Sequence, residues 1–195
     1  MSFVYFNIWQ IKRTEPCDFE KGLIGFGRDE KTLLEATSPF AFSVVPERTV
    51  LRFLKLIQCD NGKIGTYAKL VDDRNESAHP NGNIFYNSAA ALDTKIREIL
   101  RIVEEIQTHS TSNVLRCYAR FLADGAVPEI REYPDDADQL REVLIHENYL
   151  SQRDIEICAA FDIRQLDDHP VFEGIEALHR LLCVTYTEPE AAAKA

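Results

Sequence analysis

Arg74, Asn75 and His79 form a compact polar group in the stretch Arg74-Asn75-Glu76-Ser77-Ala78-His79, followed at once by Pro80-Asn81-Gly82. Ile64, Ala68, Val71, Asn75 and Ala78 recur at helical spacing, so one helix with an apolar stripe is expected over about residues 63–79. Pro80 disfavours helical geometry at the residue before it, and Asn81-Gly82 is turn chemistry, which puts His79 at a helix C-terminus. Asn75 and His79, four residues apart, share a face. Arg74 starts about 140° round from His79, at roughly 100° per residue, yet its long side chain can swing toward the helix end. The spacing permits an Arg-His pair around one small anion without requiring it.

The chemistry open to such a pair is specific. Histidine titrates near neutrality and can take or give a proton at working pH. Arginine is permanently charged and presents a planar fork of donors to phosphate oxygens. Together they suit cleavage of an RNA phosphodiester, in which the 2′-hydroxyl attacks the adjacent phosphorus, histidine handles a proton and arginine stabilises the growing charge. The competing structural reading is a solvated helix face whose terminal histidine complements the helix dipole.

Arg74 and His79, with Asn75 directly after the arginine, resemble the R-x4-6-H motif of HEPN domains in its RNxxxH form. The resemblance covers these six residues and, through the helical context, about residues 63–107. It implies an all-α bundle and a metal-independent endoribonuclease of a toxin–antitoxin or antiviral defence system. Such an enzyme works as a homodimer with the two motifs facing each other, and leaves a 2′,3′-cyclic phosphate. On this resemblance Arg74, Asn75 and His79 are the catalytic residues, RNA is the substrate, and an antitoxin or defence-complex protein is a further partner. HEPN toxins paired with nucleotidyltransferase antitoxins often carry a tyrosine two residues after the histidine; Asn81 stands there in this chain, so regulation through that tyrosine is not implied.

The charge of −10 and a pI near 5.0 over 195 residues argue against broad nucleic-acid binding, which needs lysine and arginine gathered on one surface. An RNase would then depend on a local basic patch of Arg74 with Lys63, Lys69, Lys95, Arg97 and Arg101. The acidic balance equally suits a non-catalytic interaction module that meets a basic partner. Cys17, Cys59, Cys117, Cys158 and Cys183 are odd in number and widely spaced, without C-x-x-C or Cys-His clustering, which reads as free thiols in a reducing cytoplasm. No cofactor or metal is expected. No stretch is apolar enough to span a membrane, and the first residues lack a signal-peptide pattern.

Several elements must position the motif. Phe3 to Ile11 is rich in aromatic and β-branched residues and leans toward an extended segment, with a buried helix as the alternative. Gly22-Leu23-Ile24-Gly25-Phe26-Gly27 lacks the spacing of a phosphate loop and reads as a turn before a short helix over residues 30–36. A helix is expected over residues 46–59, stopped by Asp60-Asn61-Gly62. Phe85, Ala89, Leu92, Ile96, Ile99, Val103 and Ile106 alternate steps of four and three, a heptad stripe on a helix over residues 85–108. That stripe is either a bundle seam or a dimer interface, and the two are compatible.

His109-Ser110-Thr111-Ser112 is expected to break this helix, which resumes over residues 113–123. Asp135 or Asp136 should cap a helix over residues 137–148. Ser151-x-x-Asp154 resembles a capping box with aspartate in place of glutamate. A last helix is expected from near Asp168 with Pro170 in its first turn, burying Phe172, Ile175, Leu178 and Leu182. His109, His146, His169 and His179 lack partners at metal-ligand spacing. The expected architecture is therefore an all-α, HEPN-type bundle over residues 46–188. An irregular or partly extended segment, residues 1–45, packs on it, and residues 189–195 form a helical linker-like tail.

Overall fold

Val4, Ile8 and Ile11 fall at steps of four and three, and in the computed structural model, which describes residues 1–78 and 88–186, they lie on the buried face of helix α1 (Ser2–Thr14). The expected extended segment is thus corrected at its start. Periodicity with burial outweighs the weak β preference of Phe, Ile and Trp, because strand propensity measures fit to a sheet and none is present among the described residues. Residues 15–57 form short pieces, irregular as expected up to residue 45: α2 (Pro16–Gly22), a 3-10 turn (Gly27–Asp29), α3 (Glu30–Leu34), a 3-10 turn (Pro39–Val44), α4 (Glu47–Val50) and a 3-10 helix (Leu51–Ile57). The helix expected over residues 46–59 is therefore split in type, and it stops where Gln58 adopts a left-handed conformation at φ 63°. All regular structure among the described residues is helical, and the fold is an all-α bundle.

The chain divides into two compact units, Met1–Ser110 and Thr111–Ala195. The boundary expected near residue 45 falls inside the first of these. In the first unit, α1 packs on α2 and on the two 3-10 segments around Phe42 and Phe53. Phe19 stacks on Phe53 with centroids 5.6 Å apart, and Phe26 lies against Phe53 at 5.1 Å. Each fully buried leucine, isoleucine or phenylalanine here contributes about 1.5–3 kcal/mol. Lys12 reaches into this core rim. Its ammonium donates to the carbonyls of Leu33, Leu34 and Ala36 and lies over the Trp9 and Phe19 rings. The lysine thus supplies a donor to carbonyls at and just past the end of α3, where a helix leaves acceptors over.

Helix α5 (Asn61–Ala78) carries the first part of the candidate motif. Its start is fixed by Asp60, whose Oδ1 accepts from the Lys63 amide at 2.9 Å. Helix α6 (Ala89–Gly125) runs without interruption through His109–Ser112, a correction to the expected break. The hydroxyls of Thr108 and Ser110 donate to the carbonyls of Glu104 and Gln107 in their own helix, so they do not compete for another backbone course. Within the first unit, the buried line of α6 is Ile102 and Ile106. Among the described stripe residues only Ile106 is buried; Ile102, which the stripe did not include, is buried beside it. Upstream, Leu92, Ile96, Ile99 and Leu100 are exposed by 48, 55, 49 and 57%.

In the second unit, α6 continues into a core of Tyr118, Leu122, Leu140, Leu144, Cys158, Ile175 and Leu182. Helix α7 (Asp136–Asp138) begins at Asp135, whose carboxylate accepts from the Ala137 and Asp138 amides, as expected of an N-cap. It runs on as a π-helix over Gln139–His146. Helix α8 (Gln152–Ala159) opens on a reciprocal Ser151–Asp154 capping box. Helix α9 (Phe172–Tyr186) begins after Pro170 rather than around it. No helix among the described residues is long and apolar enough to cross a membrane.

Candidate functional site

Two of the expected catalytic residues, Arg74 and Asn75, belong to α5, where a stripe of Ile64, Tyr67, Ala68 and Val71 faces the first unit's core. Arg74 and Asn75 follow in the last turns of that helix. Asn75 is half-buried and Arg74 is exposed. His79 lies outside the described residues.

Arg74 does not stand alone. Its Nη2 donates to Oε2 of Glu47, in the first turn of α4, with the two side chains exposed by 58 and 27%. One residue on, Arg48 Nη1 donates to Asp72 Oδ2 at 2.9 Å. Two adjacent residues of α4 thus pair with two residues of α5, in the sense acid-to-base and base-to-acid. The Met1 ammonium lies within electrostatic range of Glu47 and Arg74, and burial lowers its pKa. Burial likewise raises the Tyr5 phenol. Nothing in local sequence marks Glu47, which is 27 residues before Arg74. Only its acidic type offered a signal.

The expected basic patch resolves into separate parts. Lys69, Lys95 and Arg97 are exposed. Arg101 is paired with Glu105 on its own helix, and Glu105 also accepts from the Tyr67 hydroxyl at 3.2 Å. Burial raises the Tyr67 phenol first, with the nearby acidic groups adding to it. Lys63 Nζ donates to His109 Nε2 at 2.9 Å, joining the start of α5 to α6 within the first unit. The formal charge is also divided. Residues 1–110 hold 14 Lys/Arg against 15 Asp/Glu, a net −1, while residues 111–195 hold 8 against 17, a net −9. The acidity that weighs against RNA binding therefore resides almost wholly outside the unit that carries Arg74.

Of the remaining histidines, His146 and His179 have local partners. His146 Nδ1 is 3.0 Å from Glu142 Oε2, and His179 sits between the Tyr118 hydroxyl and the Cys183 thiol. Among the described residues no three of His, Cys, Asp and Glu gather as metal ligands. Cys59, Cys117 and Cys158 are buried free thiols, Cys183 is half-buried and Cys17 is exposed. Burial raises the thiol pKa of Cys59 and Cys158, which makes both poor nucleophiles. The arrangement of Arg74 can hold an anionic oxygen; its chemistry depends on what stands beside it. No protein-family model, curated protein or solved structure matches the chain.

Proposed function

We propose that the chain is a HEPN-type endoribonuclease acting as a homodimer, in a toxin–antitoxin or defence setting within the cytoplasm. Arg74 holds the scissile phosphate, His79 serves as general acid or base, and Asn75 orients the histidine or the substrate. The observation that carries this reading is an exposed arginine with an adjacent asparagine in the last turns of an 18-residue helix, followed in sequence by a long second helix. Two further features support it. The unit holding Arg74 is close to electrically neutral, and the start of α6 presents Leu92, Ile96, Ile99 and Leu100 to solvent, an apolar face suited to a second copy.

In the proposed reaction the 2′-oxygen bonds to phosphorus and the bond from phosphorus to the 5′-oxygen breaks. The proton leaves the 2′-hydroxyl and one returns to the departing 5′-oxygen, leaving a 2′,3′-cyclic phosphate. Because the substrate supplies its own nucleophile, the step needs no activated water and no metal to generate one. The arginine stabilises charge that grows on the non-bridging oxygens, an effect of about 3–4 kcal/mol for one well-placed donor in comparable sites.

The charge of −9 on residues 111–195 favours a second reading, a non-catalytic module for a basic partner. Incubation of wild type and His79→Ala with total RNA and tRNA in EDTA, followed by end-group analysis, separates the two. Cyclic phosphate ends from wild type alone support the ribonuclease. Intact RNA with both proteins, or equal cleavage by both, overturns it.

A further inference from the structure

The structure brings Glu47 to Arg74 from a distant part of the chain, and we propose that it is a positioning residue for that arginine in RNA cleavage. The inference rests on the ribonuclease reading and adds a residue to it. An arginine side chain has four rotatable bonds and little reason to hold one orientation when exposed. A charge-assisted bond from Nη2 to a carboxylate supplies that reason.

Glu47 is itself held. Its helix is anchored by Val50, which is fully buried, and the neighbouring Arg48–Asp72 bond ties the same two helices together. A guanidinium carries five N–H donors in a rigid fork, so an arginine oriented through Nη2 can still present a second edge to a phosphate. A partly exposed ion pair adds little to stability, so the contact is poorly explained as a fold-holding device. It is well explained as a way to fix where a guanidinium points. Because Glu47 neither touches the reacting atoms nor moves a proton, its removal should affect turnover more than substrate capture.

The test is steady-state cleavage of RNA by wild type, Glu47→Gln, Glu47→Asp, Arg74→Ala and the Arg74→Ala/Glu47→Gln double variant, each with and without a few millimolar guanidinium chloride, alongside thermal melts. Expected is a fall in kcat of roughly tenfold or more for Glu47→Gln with KM little changed, as for a misplaced catalytic group. Partial recovery in Glu47→Asp and near-wild-type melting are also expected. Guanidinium should restore part of the Arg74→Ala activity only where the Glu47 carboxylate remains to hold it. Unchanged or faster turnover by Glu47→Gln, or equal guanidinium rescue in both backgrounds, would overturn the positioning role while leaving the ribonuclease standing. Wild type that leaves RNA intact overturns both.

Discussion

The phenolic oxygen of Tyr118 lies 2.8 Å from Nδ1 of His179, and the other ring nitrogen of His179 faces Cys183 Sγ at 3.7 Å. A neutral imidazole has one donor and one acceptor nitrogen, so it can serve the phenol and the thiol in complementary senses. Burial lowers the His179 pKa, and this fixes the sign of its effect on stability. The neutral ring is favoured in the fold, so its contribution is fully present above the ordinary histidine pKa of about 6.5 and is lost as pH falls below it. Urea midpoints between pH 7.5 and 5 should therefore fall for wild type and fall less for His179→Asn. Parallel curves for the two proteins would refute this.

Lys12→Met should destabilise the first unit by about 1–3 kcal/mol, because the carbonyls of Leu34 and Ala36 lose the lysine donor while the apolar stem is retained. Denaturant unfolding measures it. Burial lowers the Lys12 pKa, and Ala36, whose carbonyl it bonds, is itself buried.

The exposed face of α6 predicts a concentration-dependent dimer. Ile96→Glu combined with Leu100→Glu should shift wild-type dimer to monomer in sedimentation equilibrium, with helix content by circular dichroism unchanged. Wild type that stays monomeric at tens of micromolar would remove the dimer from the proposed mechanism.

Asp135→Ala should cost about 0.5–2 kcal/mol, the usual range for a lost N-cap, since both the Ala137 and Asp138 amides lose their acceptor. The loss should appear in unfolding of the second unit, read through protection of amides in residues 136–146. Uniform loss of protection through residues 1–78 would contradict the assignment.

The sequence alone determined the elements whose causes are local. The periodicity of Ile64, Ala68 and Val71 marked α5, and Asp135 and Ser151 announced their caps because a cap involves residues only two or three apart. The same periodicity put Arg74 and Asn75 in the last turns of α5. Tertiary structure decided the rest. The N-terminal aromatic run became a helix because Val4, Ile8 and Ile11 found a core to enter, and α6 passed through His109–Ser112 because its hydroxyls bonded back to their own helix. The heptad stripe could not reveal which of its turns would be covered; only the packed unit separates buried Ile106 from exposed Leu92, Ile96 and Ile99. The Glu47–Arg74 pair is of the same kind. Its partners are 27 residues apart, and no local spacing rule joins them until α4 is laid beside α5.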